Sequence, residues 1–196
     1  MKKVIIGVML LLGIGMGQAH AQIVSFGVKA EGNLSNFIIK KMPGADSELG
    51  FGATVGGFAK LNVSRGFALQ PELQVHYQSS KFKQSGKKRS YEYFGLEIPV
   101  YAMGEFFTRA GHRYYIGLGP YIGFGLSAKF DKPKEKLYKN DALQRFDFGG
   151  KAMIGYEFAN GIQINASYRM GLIDMVDKGQ GKLRNQAISL GVGYRF

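Results

Sequence analysis

The chain has 196 residues, enough for one domain, with 26 Lys and Arg against 14 Asp and Glu and no cysteine. The missing cysteines exclude a disulfide framework, thiol chemistry and an N-terminal lipid-anchored Cys. The formal charge of +12 points towards anionic partners. In an exported chain these are lipid headgroups or acidic glycans rather than nucleic acid.

Export is expected from the first residues. Met1-Lys2-Lys3 is basic, and Val4 to Met16 is an uncharged apolar run of 13 residues. Gln18-Ala19-His20-Ala21 follows, with small residues where a signal peptidase reads. A spanning helix needs roughly 20 residues, so residues 1–21 read as a cleaved signal peptide and 22–196 as the mature domain. Removing Lys2 and Lys3 leaves +10.

From there the chain alternates with a period of two, the mark of strands. Eight stretches carry the pattern. In the first, Val24 to Ser35, Phe26, Val28, Ala30 and Leu34 face one way and Lys29, Glu31 and Asn33 the other. In the second, Gly50 to Val63, Phe51, Ala53, Val55 and Leu61 oppose Thr54 and Lys60, with Phe58 an exception. The third, Phe67 to Gln78, sets Leu69, Pro71, Leu73, Val75 and Tyr77 against Gln70, Glu72, Gln74 and His76. The fourth, Tyr93 to Phe106, sets Phe94, Leu96 and Ile98 against Glu97, Pro99, Tyr101 and Glu105. The fifth, from Tyr114 to Ser127, sets Ile116, Leu118, Pro120, Ile122 and Phe124 against Tyr115, Tyr121 and four glycines. The sixth, Phe146 to Phe158, sets Phe148, Ile154 and Tyr156 against Asp147, Lys151, Met153 and Glu157. The seventh, Ile162 to Met170, sets Ile164 and Tyr168 against Gln163, Asn165 and Arg169. The eighth ends the chain, with Ile188, Leu190, Val192, Tyr194 and Phe196 against Ser189, Gly191, Gly193 and Arg195.

Connections alternate as well. Ser64-Arg65-Gly66, Phe107 to His112 and Ala159-Asn160-Gly161 read as tight turns. Asn36 to Leu49, Ser79 to Glu92, Ala128 to Arg145 and Leu172 to Arg184 read as long polar loops. Short turns at one end and long loops at the other describe an antiparallel up-and-down barrel of the outer-membrane kind.

Three features put the apolar face outward, into lipid. Aromatic residues cluster at both ends of that face, with aliphatic residues between, as two membrane interfaces select. Glycines such as Gly117, Gly119, Gly123 and Gly125 crowd the polar face, where a narrow interior needs small residues beside long charged ones. The terminal Ile188, Leu190, Val192, Tyr194 and Phe196 form the ending that barrel-assembly machinery reads. The interior would then hold Lys29, Glu31, Lys60, Glu72, Glu97, Glu105, Asp147, Lys151, Glu157, Arg169 and Arg195. Buried charges without partners cost several kcal/mol each, so these are expected to pair, closing the lumen. Pro71, Pro99 and Pro120 each remove a ladder donor, and a bulge or pairing gap is expected at each.

For chemistry there is little. His76, with Ser79 and Ser80 nearby, lacks a third positioned group and an oxyanion site. His112 falls in a predicted turn. The chain is read as a non-enzyme without cofactor or metal. Lys81, Lys83, Lys87, Lys88 and Arg89 stand together in the second long loop; they read as a solvated loop or as a binding site for lipopolysaccharide phosphates or an acidic surface ligand.

The segments FGVKAEGNLSNF (26–37), LQPEL (69–73), YFGLEIPVY (93–101), YYIGLGPYIGFGLSAK (114–129), FDFGGKAMIGYEF (146–158), ASYRMGL (166–172) and LGVGYRF (190–196), in that order and spacing, resemble the PorT-like outer-membrane β-barrels of Bacteroidota. The sequence departs from that pattern at Glu31-Gly32 and at the HYQSS ending of the third strand. The resemblance implies a small eight-stranded transmembrane barrel of OmpX or OmpA type in the outer membrane. It also implies a link to type IX secretion, with an envelope or secretion partner protein. Export itself predicts that protein recovered from envelopes begins at Gln22 on N-terminal sequencing; a chain that retains Met1 in the membrane refutes the signal peptide.

Overall fold

The computed structural model describes residues 24–40, 45–48, 50–84, 87–130, 135–136, 146–172 and 182–196. The predicted signal peptide lies outside them. Eight long strands form the barrel: β1 (Val24–Lys40), β2 (Gly50–Ser64), β3 (Phe67–Gln84), β4 (Lys87–Phe107), β5 (Arg113–Phe130), β6 (Phe146–Glu157), β7 (Ile162–Gly171) and β8 (Lys182–Arg195). Each pairs antiparallel with its neighbours in sequence. The sheet closes where β1 meets β8, from Gly27 opposite Arg195 to Lys40 opposite Lys182. The amide of Phe196 then donates to the carbonyl of Phe26 at 2.9 Å.

The three short turns are tight, and each has one glycine with positive φ: Gly66 (93°), Gly111 (79°) and Gly161 (87°). An L side chain disfavours that conformation. Thr108 and His112 close the middle turn by a backbone bond of 2.9 Å, and the Thr108 hydroxyl accepts from the His112 amide at 3.1 Å.

At the opposite end the strands run further than the sequence pattern suggests. Spanning takes roughly 9–11 residues, yet β3 has 18 and β4 has 21. The predicted loop Ser79 to Glu92 is for the most part a paired hairpin, with register from Ser79 opposite Glu92 to Gln84 opposite Lys87. A short strand, Ala45–Glu48, adds to its free side along Lys81–Gln84, and another, Glu135–Lys136, pairs with Lys129 and Phe130. Beyond the apolar band alternation no longer tracks hydrophobicity, so a polar strand there reads as loop.

The face assignment follows residue parity. Val28, Leu69, Ile116, Leu118, Ile154, Leu190 and Phe196 are exposed on the outside. Tyr101, Tyr121, Lys60 and Gln74 are completely enclosed. Phe58 obeys the same parity: it points inward and packs against the backbone of Gly27.

The inward glycines make room for two kinds of side chain: polar or charged ones at Gly52, Gly123, Gly191 and Gly193, as expected, and also aromatic and sulfur-bearing ones at Gly27, Gly95, Gly117, Gly149 and Gly155. A Cβ at Gly117 would meet Met103 Sδ at 2.5 Å, and one at Gly149 would meet Tyr121 Cε1 at 2.6 Å. One at Gly155 would collide with the Tyr115 ring. Gly191, beside Glu31, is a position that does serve a charge.

Pro71, Pro99 and Pro120 each interrupt the ladder without shifting it. The β2–β3 register passes from Phe58–Glu72 to Leu61–Leu69, skipping Pro71. On the other side of β3 it jumps from Pro71–Val100 to Gln74–Glu97, skipping Pro99. Between β4 and β5 it jumps from Pro99–Tyr121 to Ala102–Leu118, skipping Pro120. The irregularities of register occur elsewhere, at Asn62/Ser64 and Phe94/Gly95.

These packing relations make a matched pair of substitutions informative. Gly155→Ala should destabilise the barrel by about 1–3 kcal/mol through overpacking against Tyr115. Gly32→Ala, where an added Cβ meets nothing within 4 Å, should stay within about 0.5 kcal/mol of the parent. Urea unfolding in lipid vesicles measures both.

Candidate functional site in the barrel interior

Charged side chains reach the lumen because they alternate with lipid-facing ones on every strand, and closure then brings distant strands within hydrogen-bonding range. All eleven charged residues expected inside are on the inward face; ten are buried and Arg195 is half-buried at the rim. Arg113 joins them, at the start of β5. Sequence reasoning placed it at a turn boundary, although its parity with Tyr115 carried the signal. Among the described residues the inward set thus has six acids (Glu31, Glu72, Glu97, Glu105, Asp147, Glu157) and six bases (Lys29, Lys60, Arg113, Lys151, Arg169, Arg195). The interior is formally neutral, and the +10 of residues 22–196 lies outside this set.

These charges form two networks. The one at the short-turn end centres on Glu157, which ion-pairs with Arg113 and accepts from Arg195 Nε at 2.8 Å and Gln163 Nε2 at 2.7 Å. Arg113 also donates to both oxygens of Glu105 at 3.1 Å, and Lys60 Nζ reaches Glu105 at 2.6 Å.

The second network lies towards the long-loop end. Lys29 Nζ sits 2.9 Å from Glu31 and 2.8 Å from Glu72. Glu72 also accepts from Gln70 at 2.8 Å and Gln74 at 2.5 Å. Gln74 passes the chain to Lys151 (2.8 Å), which donates to Glu97 at 2.6 Å. Arg169 holds the other oxygen of Glu97 at 2.7 Å and donates to Gln78 at 3.1 Å. Asp147 accepts from the Tyr121 hydroxyl at 3.0 Å. Gln74 therefore links Glu72 to Lys151, and glutamines 70, 78 and 163 each add a bond to one charged partner, a role the charge count alone did not reveal.

His76 belongs to this network. Its ring nitrogens lie 3.2 and 3.4 Å from Arg169 Nη1, and its ring stands edge-on to Tyr93. No arrangement of His76 with a serine is formed among the described side chains. His112 stacks on Tyr156 at the short-turn rim.

Between the networks sits an apolar cluster of Ala68, Tyr101, Met103, Tyr115 and Met153. On β4 the inward residues pass from Glu97 through Tyr101 and Met103 to Glu105; on β6 they pass from Lys151 through Met153 to Glu157.

The basic residues of the second long connection occupy the β3–β4 hairpin. Backbone register sets Lys81 opposite Ser90, Lys83 opposite Lys88, Gln84 opposite Lys87 and Phe82 opposite Arg89. On the other side of β3 it sets Glu48 opposite Lys81 and Asp46 opposite Lys83. The five terminal residues Ile188, Leu190, Val192, Tyr194 and Phe196 are all exposed on the outer face.

Comparison with known proteins gives the setting for this architecture. The family model described as outer membrane protein beta-barrel domain matches residues 17–177. The chain is similar in fold to Neisserial surface protein A (TM-score 0.53, 19% identity, covering 88% of this chain and 99% of that one). It is also similar to the outer membrane protein OprG of Pseudomonas aeruginosa (TM-score 0.56, 12% identity, covering 91% and 98%). No curated protein sequence matches the chain.

The short-turn network makes a testable claim about stability. Glu157→Ala leaves Arg113 with Glu105 alone and takes the carboxylate from Arg195 at the rim, and should cost about 1.5–3 kcal/mol, the range for hydrogen bonds to charged groups. The cost should fall markedly in an Arg113→Ala background, because neighbouring substitutions that share an interaction are not additive. Equal costs in both backgrounds in urea titrations would show that the pair is not coupled.

Proposed function

The chain belongs to the outer membrane protein beta-barrel domain family, and from that premise we propose that it is a closed, non-enzymatic barrel that presents a basic outer surface to phosphate-bearing lipopolysaccharide. The observation that carries this reading is the division of charge: a formally neutral interior and a surplus of +10 outside it. A pore that selects ions keeps an unbalanced ring of charge in its lumen; here acids and bases match in number and bind one another. Export by the N-terminal signal delivers the barrel to the membrane.

The outer surplus is greatest on the β3–β4 hairpin, where Lys81, Lys83, Lys87, Lys88 and Arg89 stand against Glu92. Like charges directly opposite on neighbouring strands are destabilising, and Lys83 and Lys88 are such a pair. A bound phosphate relieves that repulsion. Asp46 and Glu48 oppose Lys83 and Lys81 in register, whereas Lys87, Lys88 and Arg89 stand opposite Gln84, Lys83 and Phe82. The last three are thus the binding residues in this reading.

The resemblance to PorT-like barrels supports a second reading, an accessory role in type IX-like secretion. Stoichiometric secretion proteins co-purifying from native membranes would favour it over lipid alone.

Replacing Lys87, Lys88 and Arg89 together by Gln removes three charges at about 1 kcal/mol each near an anionic surface. Lipopolysaccharide binding should weaken ~100-fold, with a shallower salt dependence than the parent. Lys81→Gln with Lys83→Gln should have the smaller effect. Unchanged affinity in the triple variant, measured by titration of the detergent-solubilised barrel, refutes the site.

A further inference from the structure

We infer that the permeability barrier of this barrel is the apolar layer of Tyr101, Met103, Tyr115 and Met153, and that the ion pairs on either side of it are not the seal. The inference deepens the closed-lumen reading and rests on it.

The layers offer a hydrated ion different groups. The two charged networks are chains of carboxylates, ammonium groups, guanidinium groups and amides. Every member can exchange a protein partner for water, or hand a cation from one carboxylate to the next. Such layers tolerate water. The layer between them offers two thioethers, two phenol rings and the methyl of Ala68; its oxygens are the two phenol hydroxyls, that of Tyr101 buried without a hydrogen-bond partner, and two such groups fall far short of replacing an ion's hydration shell. Hydrophobic constrictions in pores exclude ions by losing their water.

The layer, contributed by β3 to β6, is packed closely against the backbone of β5 and β6. Met103 and Tyr101 fill the space over Gly117, where a Cβ would meet Met103 Sδ at 2.5 Å and Tyr101 Cδ1 at 3.4 Å. The Tyr115 ring occupies the space over Gly155. Met103, Met153 and Tyr101 are almost wholly enclosed. Both charged layers abut it through lysines. Lys29 Nζ lies 5.8 Å from the Tyr101 ring centroid and 3.8 Å from Met153 Sδ. Lys60 Nζ lies 5.6 Å from the Tyr115 ring centroid on the short-turn side. A cation over an aromatic face is held there by the ring quadrupole. The layer is therefore the place where the two charged networks end.

The test separates polarity from volume. Met103→Gln with Met153→Gln keeps side-chain size and makes the layer wettable; Met103→Leu with Met153→Leu keeps it apolar. Glu97→Gln and Glu105→Gln each weaken one charged network and leave the layer intact. Each full-length protein is refolded into phosphatidylcholine vesicles, its folding checked by gel mobility with and without heating, and potassium leak is followed.

The Gln pair should leak about tenfold or more faster than the parent if dewetting is the barrier. The Leu pair and both Glu variants should remain at the parent rate. Where the double variant does not refold, Met153→Gln alone carries the same expectation at lower amplitude. A tight Gln variant overturns the inference, as do Glu97→Gln or Glu105→Gln leaking as fast as the Gln pair while the parent stays tight. A parent that leaks as fast as the Gln pair overturns the closed-lumen reading itself, and the barrier assignment with it.

Discussion

A polypeptide whose outer wall is greasy has no water at hand for its peptide groups, so each N–H and C=O in that wall must find a partner within the sheet. Closure of β1 on β8 meets that demand at the one place where a sheet would otherwise keep two open edges. Once the sheet is closed, parity does the rest: odd and even positions along a strand are divided between hydrocarbon and lumen. Val28 and Lys29 are adjacent in sequence and end in opposite environments. Hydrophobic residues on the outside and ionised ones within follow from that single geometric fact.

The interior then inherits a problem that soluble proteins avoid. Among the described residues twelve charged side chains enter a narrow tube, and each has to be compensated nearby. Equal numbers of acids and bases solve this in bulk, and glutamines help locally: Gln74 spans the gap between Glu72 and Lys151, and Gln70, Gln78 and Gln163 each bond one charged neighbour. Tyrosine and methionine take up the remaining volume against glycine backbone. The glycines are thus complementary to the bulky side chains opposite them rather than general sources of flexibility.

The ladder is not uniform. Pro71, Pro99 and Pro120 lie on three successive strands, and the pairing gaps at them fall in neighbouring positions, so the missing bonds are gathered into one region of the wall. The register on both sides of each gap is the same, which is why the barrel closes normally. On the long-loop side the sheet outruns the apolar band and recruits Ala45–Glu48 and Glu135–Lys136. That extension converts a basic stretch of sequence into an ordered backbone array with acids of another connection opposite two of its lysines.

Residue pattern alone determined the number of long strands, the side to which their residues point, the tight turns and, Arg113 apart, the charges to be enclosed, because a period of two in hydrophobicity is a local property readable from neighbours. It misjudged what lies where hydrophobicity stops varying: the hairpin from Ser79 to Glu92 alternates among polar residues and carries no contrast to read. It also took the glycines as space for charges, which holds at Gly123 and Gly191 but not at Gly117 or Gly155, since the sequence shows that a residue is small but not which side chain faces it. Only the tertiary structure decided who meets whom. Glu157 collects Arg113, Arg195 and Gln163 from three other strands, and Met103 joins Met153 and Tyr115 in one buried cluster. Those meetings depend on inter-strand register and on the ring closing, which are relations between residues up to a whole chain apart and leave no trace in any one segment.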